Sequence, residues 1–313
     1  MQPQYIETTR VVIVGAGDVG AHTAYSLMIQ GIASEIVLID IDKNKCMGEV
    51  LDLVHGLSFV KPMRIWAGGY SDCRNADIVF ICAGKKQKPD QSRLELVRPN
   101  AKIVSKIVKN IIRYTKKAII LVATNPVDVM TYVALKVSGL PSHQVFGTGT
   151  NLDSSRFRWA LAEKFGLAAT SMHAFLIGGH GETAVPVFSH ANIMGKNIAE
   201  LPGYNLLTAR KICNKVKNAA EEIIRKKGAT FYSIALSVSE IIRAILYDEN
   251  HVLLVSSLLT GQYGLKDVCL SLPSVIGRTG IKKIIEIDLT PNELNELKRS
   301  AKIIQEIIKK SKM

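Results

Sequence analysis

The sequence predicts an α/β fold: a doubly wound parallel sheet followed by a mixed α+β unit. Three observations carry this. Strand-sized apolar runs alternate with helix-sized stretches through the first half of the chain. A glycine-rich turn joins the first run to the first helix. The alternation gives way near Phe146 to longer helices and longer apolar runs.

Val11 to Val14 is an unbroken apolar run, too short for a helix and continuous enough for a strand buried on both faces. Val19 to Gln30 reads as a helix ended by Gly31. Ile36 to Ile39 is the next strand, Lys43 to Leu57 the next helix and Ile78 to Cys82 another strand. After a polar loop, Arg98 to Tyr114 is helical and Ala118 to Val122 is strand. Short strands joined by helices imply right-handed crossovers and parallel pairing. Beyond Phe146, the sequence predicts a helix from Asp153 to Phe165 and a strand from Ala174 to Ile177. Helices follow at Thr208 to Lys226 and Tyr232 to Tyr247, then strands at His251 to Leu259 and Val268 to Val275. In the tail from Lys298 to Met313, Ile303, Ile304, Ile307 and Ile308 make one apolar helix face. The expected division is a nucleotide-binding unit over 1–147 and a substrate unit over 148–313.

Composition excludes several classes. With 47% hydrophobic and 21% charged residues, the 313-residue chain is not intrinsically disordered. No apolar run reaches the roughly 18–20 residues of a membrane-spanning helix. The first ten residues hold no apolar signal region, so a cytoplasmic protein is expected. The five cysteines show no zinc spacing and fit reduced thiols, and no histidine pair suggests a metal. The net charge of +13 would suit nucleic acid, an anionic membrane or anionic small molecules. Lysines are spread among acids, however, and aromatics are only 6% with no stacking platform, so a basic nucleic-acid binder is the distant alternative.

Gly15-Ala16-Gly17-Asp18-Val19-Gly20 fits GxGxxG in the context that gives it meaning, after a buried strand and opening a helix. Gly15 permits the tight turn, Gly17 lets a pyrophosphate approach the backbone, and Gly20 allows close helix–strand packing. This is the Rossmann arrangement. Asp40 closes the second strand, where a carboxylate bonds ribose hydroxyls and repels a 2′-phosphate, selecting NAD over NADP.

Four later segments carry chemistry: the loop from Ala83 to Arg93, Thr124-Asn125-Pro126-Val127-Asp128, Asp153-Ser154-Ser155-Arg156, and Gly178-Gly179-His180-Gly181-Glu182. In this order, with the stretches GTGTNLDSSRFR and KKGATFYSIA, they resemble the lactate/malate dehydrogenase family, and its L-lactate branch in particular. The resemblance implies that His180 is the general acid/base, oriented by Asp153. It implies that Arg156 clamps the substrate carboxylate, that Arg93 polarises the carbonyl from a mobile lid, and that Asn125 and Thr230 flank the substrate. It also implies NAD contacts from Val19, Lys45, Tyr70, Ala83, Gly84, Thr124 and Asn125.

Gln87 stands where malate dehydrogenases of the family carry an arginine. A neutral amide cannot balance a second carboxylate, so pyruvate and L-lactate are the expected substrates, with malate dehydrogenase the alternative. Gly179 follows the malate-type pattern instead, because lactate dehydrogenases usually have an acid just before the histidine, and Glu182 replaces the family's usual aspartate. Arg158 and His173 match positions that bind fructose 1,6-bisphosphate in activated bacterial relatives, which implies an effector site and a homotetramer.

Overall fold

A computed structural model describes residues 8–85 and 93–310. The strands are β1 (Arg10–Val14), β2 (Glu35–Ile39), β3 (Arg64–Ala67), β4 (Ile78–Ile81), β5 (Ile119–Val122), β6 (Val145–Gly147), β7 (Leu176–Gly178), β8 (Ala184–Pro186), β9 (Asn192–Ile193), β10 (Lys196–Asn197), β11 (His251–Thr260), β12 (Lys266–Gly277) and β13 (Gly280–Ile284). The helices are α1 (Asp18–Gln30), α2 (Lys43–His55), α3 (Arg93–Ile111), α4 (Val127–Ser138), α5 (Asn151–Phe165), α6 (Leu206–Lys227), α7 (Tyr232–Leu246) and α8 (Pro291–Lys310).

Strands β3-β2-β1-β4-β5-β6 pair in parallel in that order. The order reverses at β1, so the carboxyl ends of β1 and β4 open a crevice where such sheets take ligands. Side chains alternate across the sheet as the two-residue period requires. Val11 and Ile13 join Leu27, Ile36 and Phe80 in one apolar layer, while Val12 and Val14 join Val79, Val104 and Val133 in the other. The sheet continues past β6 into antiparallel strands, through Ser256 of β11 opposite Gly147 and Ser271 of β12 opposite Gly178. A third apolar cluster, around Phe157, Leu176, Phe188 and Cys213, lies under α5 and α6.

The structure adds to the expected elements where local patterning is weak. Helix α4 is apolar nearly all round because it is buried between α3 and the sheet, so it shows no polar stripe to give the helical period away. Strand β3 at the sheet edge buries fully only Ile65. Helix α3 starts at Arg93 rather than Arg98 and continues through Pro99. Helix α8 starts at Pro291, well before Lys298. Its start is a capping box: Glu293 N–H donates to Thr290 Oγ1 at 3.3 Å, and Glu293 Oε2 accepts the Thr290 N–H at 3.0 Å. All five cysteines are free thiols. Burial pushes Cys73 up to about 12 and Cys213 up to about 11, so both behave as inert packing groups.

Candidate active site

The glycine-rich turn sits where the sequence places it. Gly15 has φ +116°, and a Cβ there would lie 2.7 Å from the Ala83 nitrogen, so only glycine lets β1 and β4 deliver their ends side by side. A Cβ on Gly20 would collide with the Gly15 carbonyl oxygen. A Cβ on Gly17 would meet nothing within 4 Å. Gly17 is also the N-cap of α1 with no side-chain cap bond, so the start of the helix faces that space. That is a cradle for a phosphate anion.

Asp40 is fixed beside this turn. Its Oδ2 accepts the Ala16 N–H at 2.7 Å and its Oδ1 accepts the Asp42 N–H at 3.0 Å, and both oxygens retain capacity for hydroxyl donors. Thr124 closes the cradle from β5, donating its hydroxyl to the Ala83 carbonyl at 2.8 Å. A Cβ on Gly84 would press on Thr124 Cγ2 at 2.7 Å. Val19 is half-buried on α1, Lys45 is exposed on α2, and Tyr70 is half-buried after β3, its hydroxyl pushed up by burial. The donor turn, the open space and the acceptor carboxylate together fit an NAD-sized dinucleotide.

The catalytic candidates meet at the carboxyl end of β7. His180 Nδ1 lies 2.6 Å from Asp153 Oδ2, and Arg156 Nη1 lies 3.8 Å from Asp153 Oδ1. Asp153 is 2% exposed and His180 16%. Among the described residues no group bonds His180 Nε2. A proton held on Nδ1 by the carboxylate therefore leaves Nε2 to exchange one with a ligand. Three helices fix this arrangement. From α5, Ser154 Oγ accepts the Leu176 N–H at 2.9 Å, which sets the first turn bearing Asp153 and Arg156 against β7. From α8, Ser300 Oγ accepts the Gly179 N–H at 2.9 Å. From α4, Asp128 Oδ2 accepts the His180 N–H at 2.8 Å.

Gly179 has a steric explanation. A Cβ there would clash with Thr183 Oγ1 and lie 3.3 Å from Ile304 Cδ1, so position 179 points into the α8 contact. An acidic side chain there would be buried against an isoleucine. Glu182 is exposed on the following turn.

The remaining candidates fall as follows. Asn125 is exposed at the end of β5, and its carbonyl accepts from Asn100 Nδ2 at 2.7 Å. Thr230 is half-buried between α6 and α7, and the adjacent Phe231 ring packs 4.1 Å from the His22 ring on α1. Gln87 lies outside the described residues. Arg93 enters as the first residue of α3 instead of a loop residue. Arg158 lines a cavity of about 290 Å³ with Asn151, Ser155, Glu240 and Arg243, while His173 is exposed where it bridges to Asn192. Asn100, Ser256 and Ser300 were not singled out from the sequence. They are polar residues inside otherwise ordinary segments, and only the tertiary contacts reveal them.

Comparison with known proteins agrees with this architecture. The family model for the NAD-binding domain of lactate/malate dehydrogenase matches residues 9–147, and that for the α/β C-terminal domain matches residues 150–313. The chain is 48% identical to an L-lactate dehydrogenase of Synechococcus sp., covering 95% of this chain and 97% of the relative. It is 47% identical to an L-lactate dehydrogenase of Acetivibrio thermocellus, covering 96% of each. A ligand-bound crystal structure of the minor L-lactate dehydrogenase of Enterococcus mundtii superposes with a TM-score of 0.93 at 40% identity, covering 97% of this chain and 98% of the other. The chain belongs to the lactate/malate dehydrogenase family.

Proposed function

We propose that the protein is an NAD-dependent L-lactate dehydrogenase that interconverts L-lactate and pyruvate, with His180 as the general acid/base. The observation that carries this is the 2.6 Å contact of His180 with buried Asp153, one helical turn from Arg156. Bound NAD supplies the hydride acceptor, and NADH the hydride donor in the reverse direction.

In oxidation, Nε2 of His180 takes the hydroxyl proton of lactate, and Asp153 stabilises the imidazolium that forms. In reduction, the same nitrogen returns the proton to the pyruvate carbonyl oxygen. Arg156 offers a planar fork for the substrate carboxylate. Arg93 polarises the carbonyl, while Asn125 and Thr230 border the substrate. Gly15, Gly17 and Gly20 shape the pyrophosphate turn, Asp40 reads the ribose, and Val19, Lys45, Tyr70, Ala83, Gly84 and Thr124 complete the cofactor surface.

Gln87 brings no charge for a second carboxylate, which favours pyruvate over oxaloacetate. Position 179, the malate-like departure, points at Thr183 in the turn after His180 and at Ile304 of α8, which makes it a packing position in this chain. Residues 1–147 form the cofactor unit and 148–313 the substrate unit. The proposal extends to a cytoplasmic homotetramer of fermentative glycolysis, activated by fructose 1,6-bisphosphate at Arg158 and His173. Arg158 borders a cavity and His173 is exposed, which leaves a guanidinium and an imidazole to donate to phosphate.

The test is NADH oxidation by the purified protein with pyruvate and with oxaloacetate, each with and without fructose 1,6-bisphosphate. The expected result is a higher kcat/KM for pyruvate and a lower KM for pyruvate with the effector. Preference for oxaloacetate would overturn the lactate reading. An unchanged KM would remove the effector site.

A further inference from the structure

We propose that Asp128 is a positioning residue for His180: its carboxylate holds the main chain of the base while Asp153 holds the ring. This rests on the reading of His180 as the acid/base.

Asp128 lies in the first turn of α4 and is 2% exposed. An acid at a helix start is ordinarily explained by the helix dipole, and such acids need no burial. This one is buried, which costs free energy unless the carboxylate is hydrogen-bonded. Its bonds leave the helix. Oδ2 accepts the His180 N–H at 2.8 Å, and Oδ1 accepts the Ser256 hydroxyl at 2.6 Å. Ser256 sits on β11 opposite Gly147 of β6, at the seam between the parallel and antiparallel parts of the sheet. The carboxylate is thus pinned on one side to the sheet and on the other to the residue that carries the base.

The contact has a geometric consequence. Asn125 lies three residues before Asp128, at the mouth of the same turn. One short segment therefore supplies a polar group beside the substrate and also fixes the backbone of His180. Without the carboxylate, the His180 N–H would lose this partner, and among the described residues the imidazole would keep its Asp153 contact.

Among the described residues, the charges placed on or beside His180 are Asp153 at Nδ1, Asp128 at the main chain, and Arg156 beyond Asp153. Burial, with a smaller push from the Asp153 charge, raises the Asp128 carboxyl above its ordinary range, although the Ser256 hydroxyl, the His180 N–H and the His180 charge act the other way. A main-chain donor on one oxygen and a hydroxyl on the other satisfy an acceptor. An asparagine can meet the same N–H with its carbonyl oxygen and turn its amide toward Ser256.

The experiment compares Asp128→Ala, Asp128→Asn and Ser256→Ala in the full-length enzyme. It reads kcat and its pH profile for pyruvate reduction, KM for NADH, and the melting temperature. Asp128→Ala is expected to lower kcat about tenfold or more, because small displacements of a reacting group are costly, and to leave KM for NADH unchanged. Its pH midpoint should move lower, since a slackened His180–Asp153 contact stabilises the imidazolium less. Asp128→Asn should restore most of kcat. If Asp128→Ala does not fold, Ser256→Ala decides. Freeing one carboxylate oxygen should lower kcat about threefold with KM for NADH unchanged. Normal kcat and pH midpoint in Asp128→Ala, with only the melting temperature lowered, would overturn the proposal. So would equal damage in Asp128→Asn and Asp128→Ala, or an unchanged kcat in Ser256→Ala where Asp128→Ala is unfolded. His180→Ala in the same assays separates the two levels: normal turnover there defeats the acid/base reading itself.

Discussion

Replacing Asp153 by Asn changes almost no volume and removes one charge from the centre of the site. Asp153 is 2% exposed, with Oδ2 2.6 Å from His180 Nδ1 and Oδ1 3.8 Å from Arg156 Nη1. A buried hydrogen bond between charged partners contributes about 1.5–3 kcal/mol. The hydrogen bond is present with the neutral ring too, but its charge–charge part is gained only when His180 is protonated, so it bears on proton transfer rather than on cofactor binding. At about 1.4 kcal/mol per tenfold in rate, kcat should fall roughly 10- to 200-fold. The loss can be larger. An amide that turns its NH2 toward Nδ1 leaves the neutral ring carrying its proton on Nε2, the wrong tautomer for accepting one from lactate; a comparable change in a serine-protease triad costs about 10⁴. The assay is single-turnover pyruvate reduction with saturating NADH, alongside NADH binding by fluorescence. Binding should be unchanged because the glycine-rich turn and Asp40 do not touch Asp153. A kcat within about threefold of the parent enzyme, with the protein folded, would refute the reasoning.

Glu293→Gln should destabilise the protein by roughly 1.5–3 kcal/mol at neutral pH, read as a lowered melting temperature, because Glu293 accepts bonds from Ser189 and Thr290 at the start of α8. Although burial opposes it, these bonds hold the carboxyl below its ordinary value. The stabilisation is therefore complete above the unfolded pKa of about 4.3 and is lost as pH falls through the lower folded value, so parent and variant should converge in acid. Asp40→Ser should raise the NADPH-to-NADH ratio of kcat/KM about tenfold or more, by removing a charge that repels a 2′-phosphate; an unchanged ratio would place Asp40 away from the ribose. Gln87→Arg should shift the oxaloacetate-to-pyruvate ratio by about 100-fold, roughly 3 kcal/mol for pairing a buried carboxylate. A ratio that barely moves would show that residue 87 is not the discriminator.

The parallel half of the fold is legible in the sequence because its strands are continuous apolar runs and its first turn obeys a steric rule. Gly15 and Gly20 can be glycine only, and Asp40 follows at the next strand end. The meeting of Asp153, Arg156 and His180 is legible through their motifs, since Asp153 and Arg156 share a helix turn and His180 stands among glycines that let the turn pack tightly. Other features depend on contacts between segments far apart in sequence. Asp128 meets His180 across 52 residues, and Ser300 meets Gly179 across 121. Neither has a local pattern. Helix α4 is hidden for the opposite reason, being buried on too many sides to show a period. The early start of α8 is legible in Thr290-Pro291-Asn292-Glu293, a capping box with proline at the first helical position. The isoleucine stripe downstream draws attention to the later part of the helix instead.

The central claim is that His180 is the group that moves the proton. His180→Ala, measured as NADH affinity and pyruvate turnover on the same folded sample, tests it most directly. The account predicts parent-like NADH binding with turnover reduced about 10³-fold or more, since the ring contributes general acid/base catalysis and its Asp153 contact acts through it. Turnover near that of the parent enzyme, with NADH binding intact, would contradict it.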